Sequence, residues 1–163
     1  MPTQLRDLGS CMTCAANLVD AAAEEAAPRI STLDARETHE LEMTYGVGSR
    51  GITTTGFAAA AKELQRNQKQ RAKRMVRDAL DRSLLDLASY YRDVLTVQLG
   101  SRGELVNEEL RADIATMARS TSGEISTRRI ADIFATRDAL AGELAPLLAV
   151  EALMISLTSG DRS

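Results

Sequence analysis

The sequence predicts an all-α protein: a bundle of five to six helices that includes one long helix over about residues 57–99. Three observations predict it. Apolar residues recur at spacings of three and four along most of the chain, the period of one helix face. The 163 residues include 25 Ala but only three Pro and ten Gly, a composition that favours helix over loop-rich or all-β structure. No alternating apolar pattern runs longer than a few residues, and no internal repeat is present. With 44% hydrophobic and 26% charged residues, the chain can bury a core of ordinary domain size.

The first helical pattern runs from about Leu8 to Ala27, with Leu8, Cys11, Met12, Ala15, Leu18, Val19 and Ala22 on one face; Pro28 is expected to end it. A short second helix is expected over Asp34–Tyr45, because Asp34 and Glu37 have the spacing of a capping box. Gly46 and Gly48 stop it, and residues 46–56, GVGSRGITTTG, read as a flexible Gly/Thr loop. Residues 1–45 are thus expected to pack as N-terminal helices on a main helical domain, 57–160.

From Phe57 to Leu99 neither Pro nor Gly interrupts the chain, which gives a helix of about 60 Å. Its second half, from Met75, carries a continuous apolar stripe through Val76, Leu80, Leu84, Leu87 and Tyr91. Its first half, KELQRNQKQRAKR, offers only Leu64 and Ala72, and a helix without an apolar face is expected to project into water or onto a partner. Gly100 and Gly103 end the long helix, and Asn107 is placed to cap a helix over Glu108–Arg119. A further helix over Ser126–Ala141 is expected to bury Ile130, Ile133, Phe134 and Leu140. Pro146 suits the first turn of a last helix, Leu147–Leu157.

Reactive chemistry finds little support. Gly46, Gly48 and Gly51 fit G-x-G-x-x-G by letter, but a polar helix rather than a strand precedes them, and no phosphate-cradling G-x-x-x-x-G-K-[ST] exists. His39-Glu40 begins H-E-x-x-H, but position 43 is Met. Cys11 and Cys14 form one C-x-x-C with no second pair for zinc, and their helical spacing puts both thiols on the apolar stripe. No catalytic residue, cofactor or metal site is therefore expected. Two Cys build no disulfide framework, and residues 1–10 lack the pattern of a signal peptide, so the cytoplasm is the expected location. The most apolar stretch, Leu144–Leu157, is too short to span a membrane and contains Glu151.

Two segments point to partners instead. The formal charge is −3, but residues 62–77 hold Lys62, Arg66, Lys69, Arg71, Lys73, Arg74 and Arg77 against Glu63 alone. Lys69, Arg71, Lys73 and Arg74 are the candidate contacts to DNA or to an acidic partner. In the last helix only Glu151 and Ser156 are polar, so it is either central to the bundle or covered by another subunit. Leu148 and Met154 on this helix, with Tyr90 and Val97 off the main stripe of the long helix, are the candidate subunit contacts.

LLDLASYYRDVLTVQLG and RRIADIFATRDALAGELAPLLAVEALMISL resemble the C-terminal domain of the delta-prime subunit of the bacterial DNA polymerase III clamp loader. The resemblance rests on Arg92-Asp93, Leu99-Gly100, and Pro146, Leu148, Ala149, Glu151 and Leu153. The basic helix leading into Arg77-Asp78 and Asp81-Arg82 is similar to the actinobacterial branch. The likeness covers residues 62–157 well and 8–27 more loosely; Glu143-Leu144-Ala145 departs from the Asn-rich residues usual before the proline. It implies that 57–160 is a non-catalytic collar domain and that nucleotide-binding domains precede it in a longer protein. It also implies partners: the loader's ATPase (tau/gamma) and delta subunits, with DNA touched indirectly or weakly. Self-association of the isolated piece is a further expectation.

Overall fold

The computed structural model describes residues 8–46, 55–101, 103–142 and 144–159. Among them every regular element is helical: α1 (Leu8–Thr44), α2 (Thr55–Gln98), a 3-10 turn (Glu108–Leu110), α3 (Arg111–Ser120), α4 (Gly123–Ala141) and α5 (Pro146–Ser159). The protein is all-α, with the long helix within two residues of its expected ends. Most of the expected 46–56 loop lies outside the described residues.

The expected break at Pro28 does not occur: α1 runs through it for 37 residues. A proline inside a helix removes one N–H bond and crowds the carbonyl four residues back, at a cost of about 3 kcal/mol. Here Glu24, Ala27, Pro28 and Arg29 are all exposed, so water reaches the carbonyl that proline leaves without its N–H partner. Ala22 and Ala26 are buried on the opposite side and hold the helix to its neighbour.

The chain divides into two compact units, one comprising residues up to Asp20 and from Leu80 onward, the other Ala21–Ala79. The Ala21–Ala79 unit is an antiparallel hairpin of α1 and α2. Near its turn Tyr45 meets Phe57 edge-on, ring centroids 5.8 Å apart. Further along, Gln68 Nε2 donates to the Asp34 carbonyl at 3.2 Å and to Glu37 Oε2 at 3.3 Å. Its buried residues are all alanines among the described residues, namely Ala22, Ala26 and Ala79, whereas larger apolar side chains such as Leu41, Phe57 and Leu64 are only half-buried. Gly46 follows α1 at φ +66°, a left-handed conformation that glycine adopts without a Cβ clash.

The other unit has a conventional apolar core. Leu80, Leu84, Tyr91 and Val94 of α2, Ile114 of α3, Ile133 of α4, and Val150 and Leu153 of α5 are almost fully enclosed. Alpha-2 ends in a Schellman turn: Gly100 takes φ +63°, Ser101 N donates to the Thr96 carbonyl and Gly100 N to that of Val97. Asn107 does not cap the next helix with its side chain. Its backbone N–H and side-chain amide both donate to Asp93 Oδ2, at 2.7 and 2.8 Å. Ser122 is the cap that the structure uses, accepting from Ile125 N and starting α4 three residues earlier than expected.

Candidate assembly surface

The final helix has two unlike faces. Ala149, Val150, Leu153, Met154 and Leu157 are buried in their unit. On the other side Leu148 is 59% exposed and Ile155 38%, and Leu144, just before the helix, is 44% exposed. Within the helix Leu148, the exposed Ala152 and Ile155 follow at spacings of four and three, so they form one stripe, which the exposed Leu144 precedes in the chain. Proline starts the helix without wasting a hydrogen bond, because the first N–H groups have no helical acceptor. Both alternatives raised by its all-round apolarity therefore describe part of it: one face is core and one is uncovered.

The four subunit-contact candidates separate in the same way. Val97 and Leu148 are exposed. Tyr90 is 6% exposed and stacks edge-on with Tyr91 at 5.5 Å. Burial, then the nearby Asp113 carboxylate, pushes the Tyr90 hydroxyl above its ordinary range. Met154 is 4% exposed, and its carbonyl accepts from the Cys11 thiol at 3.6 Å. The chain itself therefore covers Tyr90 and Met154, which leaves Val97 and Leu148 as surface. Phe134, expected in the core, is 44% exposed, with the Arg137 guanidinium 5.3 Å from its ring centre.

Polar links brace the helices behind the stripe. Arg137 pairs with Asp81 through two bonds of 2.7 and 3.0 Å, joining α4 to α2. That pairing holds the Asp81 carboxyl below its ordinary value against the upward push of burial. Arg129 is buried, donates to the Leu157 carbonyl at 3.0 Å and lies over the Tyr91 ring. Ser156 donates to Asp132, tying α5 to α4. Burial raises the Asp93 carboxyl, but Asn107, the Val106 backbone and Arg92 outweigh it and leave the group below its ordinary value.

The basic segment is also divided by its surroundings. Arg71, one of the four candidate contacts to an external anion, is already engaged: it donates to Asp34 and to both oxygens of Glu37, one bond measuring 2.8 Å. The bonds to Glu37, then Asp34, raise the Arg71 pKa further, and Arg71 in turn lowers that of Glu37. Asp34 and Glu37, read as a capping box, are thus mid-helix acceptors. The first half of α2, expected to project into water or onto a partner, meets α1 of the same chain through this clamp. Lys69, Lys73 and Arg74 remain exposed.

Cys11 and Cys14 are free and buried, and His39 is exposed. Among the described residues no three His, Cys, Asp or Glu side chains gather as a metal site, and no helix is long and apolar enough to cross a membrane. A groove of about 450 Å³ in the hairpin is lined by Thr38, Leu41, Phe57, Ala61, Lys62, Leu64, Gln65 and Gln68, which include no acid, thiol or imidazole. No family model matches this chain, and neither does any curated protein or solved structure.

Proposed function

We propose that this chain is a non-catalytic assembly domain of the collar type, which joins neighbouring helical domains in a clamp-loader ring of the replication machinery. Within that reading it works in the cytoplasm beside the loader's ATPase and delta subunits and reaches DNA through the assembled ring. The observation that supports it is the exposed apolar stripe Leu148, Ala152 and Ile155 on α5, backed by a closed core. Removing such surface from water contributes about 25 cal/mol per Å², and the exposed charges around it select the neighbour. The residue pattern of Arg92-Asp93, Leu99-Gly100 and Pro146 to Leu153 supports the choice of ring.

Co-purification with the collar domains of the ATPase and delta subunits tests this. The expected result is a stable complex that buries at least about 1,000 Å² in total. Leu148→Asp should abolish it while leaving the helical content intact, because this side chain is exposed. A domain that stays monomeric with both partners present overturns the reading.

A further inference from the structure

The hairpin sorts its cations in a way that the sequence order conceals. Alpha-2 turns Leu64, Gln68, Arg71 and Met75 toward partly buried positions. Lys62, Arg66, Lys69, Lys73 and Arg77 follow one another at spacings of four, three, four and four residues. At 100° per residue these five fall within a sector of about 80°, on the side of the helix away from Gln68. They form one straight row about 22 Å long. Lys62, Arg66, Lys69 and Lys73 are exposed and Arg77 is half-buried. Arg71 faces the other way and is held by Asp34 and Glu37, while Arg74 lies to one flank.

Among the described residues no acid of α1 forms an ion pair with this row. Ala21–Ala79 holds ten basic and eight acidic residues, close to balance. Yet among the described residues the one ion pair found within the row is Arg66 with Glu63, at 2.7 Å, both side chains more than half exposed. Such a surface pair is weak and yields readily to a stronger anion.

We infer that the row Lys62, Arg66, Lys69, Lys73 and Arg77 is a docking surface for the phosphate backbone of duplex DNA. The side chains between and beside the cations select this occupant. Gln65, Asn67 and Gln70 are exposed amides, and no apolar side chain is exposed between Lys62 and Arg77. A specific protein interface needs an apolar centre, which this face lacks. Phosphates need only cations and hydrogen-bond donors, which it supplies in a line. No aromatic residue lies between Phe57 and Tyr90, so single-strand binding by base stacking has no platform. Binding is therefore independent of sequence. The choice of DNA over RNA rests on the proposed role in replication, whereas the preference for a duplex rests on the row alone.

Fluorescence anisotropy of the full chain with a labelled, mixed-sequence DNA duplex tests this. With three phosphates neutralised, affinity should fall about 40-fold between 50 and 200 mM salt. Lys69→Gln with Lys73→Gln keeps side-chain length and helix propensity; it should weaken binding at least about tenfold and lower the salt slope by about two. A charge-matched control, Arg119→Gln with Arg128→Gln on the other unit, should change binding less than about twofold. An equal loss in the control, a single strand bound more tightly than the duplex, or no duplex binding at low salt overturns the inference. Binding to polyglutamate without binding to the duplex would assign the row to an acidic protein and also overturn it. The outcome is separate from co-purification with the collar partners, because the row and the α5 stripe share no residue.

Discussion

The hairpin Ala21–Ala79 and the unit that contains α3 to α5 hold their helices together by opposite means. The hairpin buries only alanines among its described residues and relies on a polar clamp, Arg71 with Asp34 and Glu37. The other unit encloses Tyr91, Leu80, Leu84, Ile114, Ile133 and Leu153. Small buried residues gain little from leaving water, so local geometry and charge decide the hairpin's register. Large ones gain much, and there the charges are braces on a core that already holds. The same 44-residue helix, α2, serves both designs because its composition changes near Met75.

Cavity mutants probe this contrast most strongly. Leu84→Ala should cost about 3 kcal/mol in denaturant unfolding, whereas Leu64→Ala in the hairpin, where the side chain is only half-buried, should cost about 1 kcal/mol. Equal costs would erase the distinction. Arg129→Met comes next, at about 2 kcal/mol, because it removes a charged donor from the Leu157 carbonyl while keeping most of the volume.

Acid acts on the polar braces. Asp81, Asp93 and Glu37 all have pKa values lowered by folding. The unfolded chain therefore takes up these protons first, so stability is complete above the ordinary carboxylate range, near pH 4, and is lost as pH falls through the folded values. Urea midpoints measured from pH 7 to pH 3 should decline, and Asp93→Asn should flatten the decline. The smallest effect is the most local. Arg71→Ala should leave overall stability nearly unchanged, yet speed hydrogen exchange across the hairpin while leaving α4 and α5 unchanged. Arg71→Lys should restore only part of the protection, because an ammonium cannot span two carboxylates as a guanidinium fork does.

Much of the fold was legible because helix ends carry local signals. Gly100 closes α2 and Pro146 opens α5 where their chemistry requires. The errors share one cause: a residue type with both a local and a long-range use. Asp34 and Glu37 have the spacing of a cap, but the acceptor they provide serves a guanidinium 34 to 37 positions away. Asn107 is an apt N-cap that instead serves Asp93. A proline breaks a helix whose freed carbonyl lacks water or whose inner face lacks a neighbour, and at Pro28 α1 has water on one side and a neighbour on the other. The candidate site shows the same pattern. Periodicity marked α5 as apolar all round, but only packing separates Met154, which is covered, from Leu148, which is not.

The placement of the two thiols has a practical consequence. Cys11 and Cys14 are the chain's complete set, and both sit at the start of α1 in the unit with the large core, Cys11 against the carbonyl of Met154. A thiol reagent added to the native protein therefore acts as a stopwatch on that unit's opening and is blind to fraying of the hairpin. No label needs to be introduced to time one part of the molecule independently of the other.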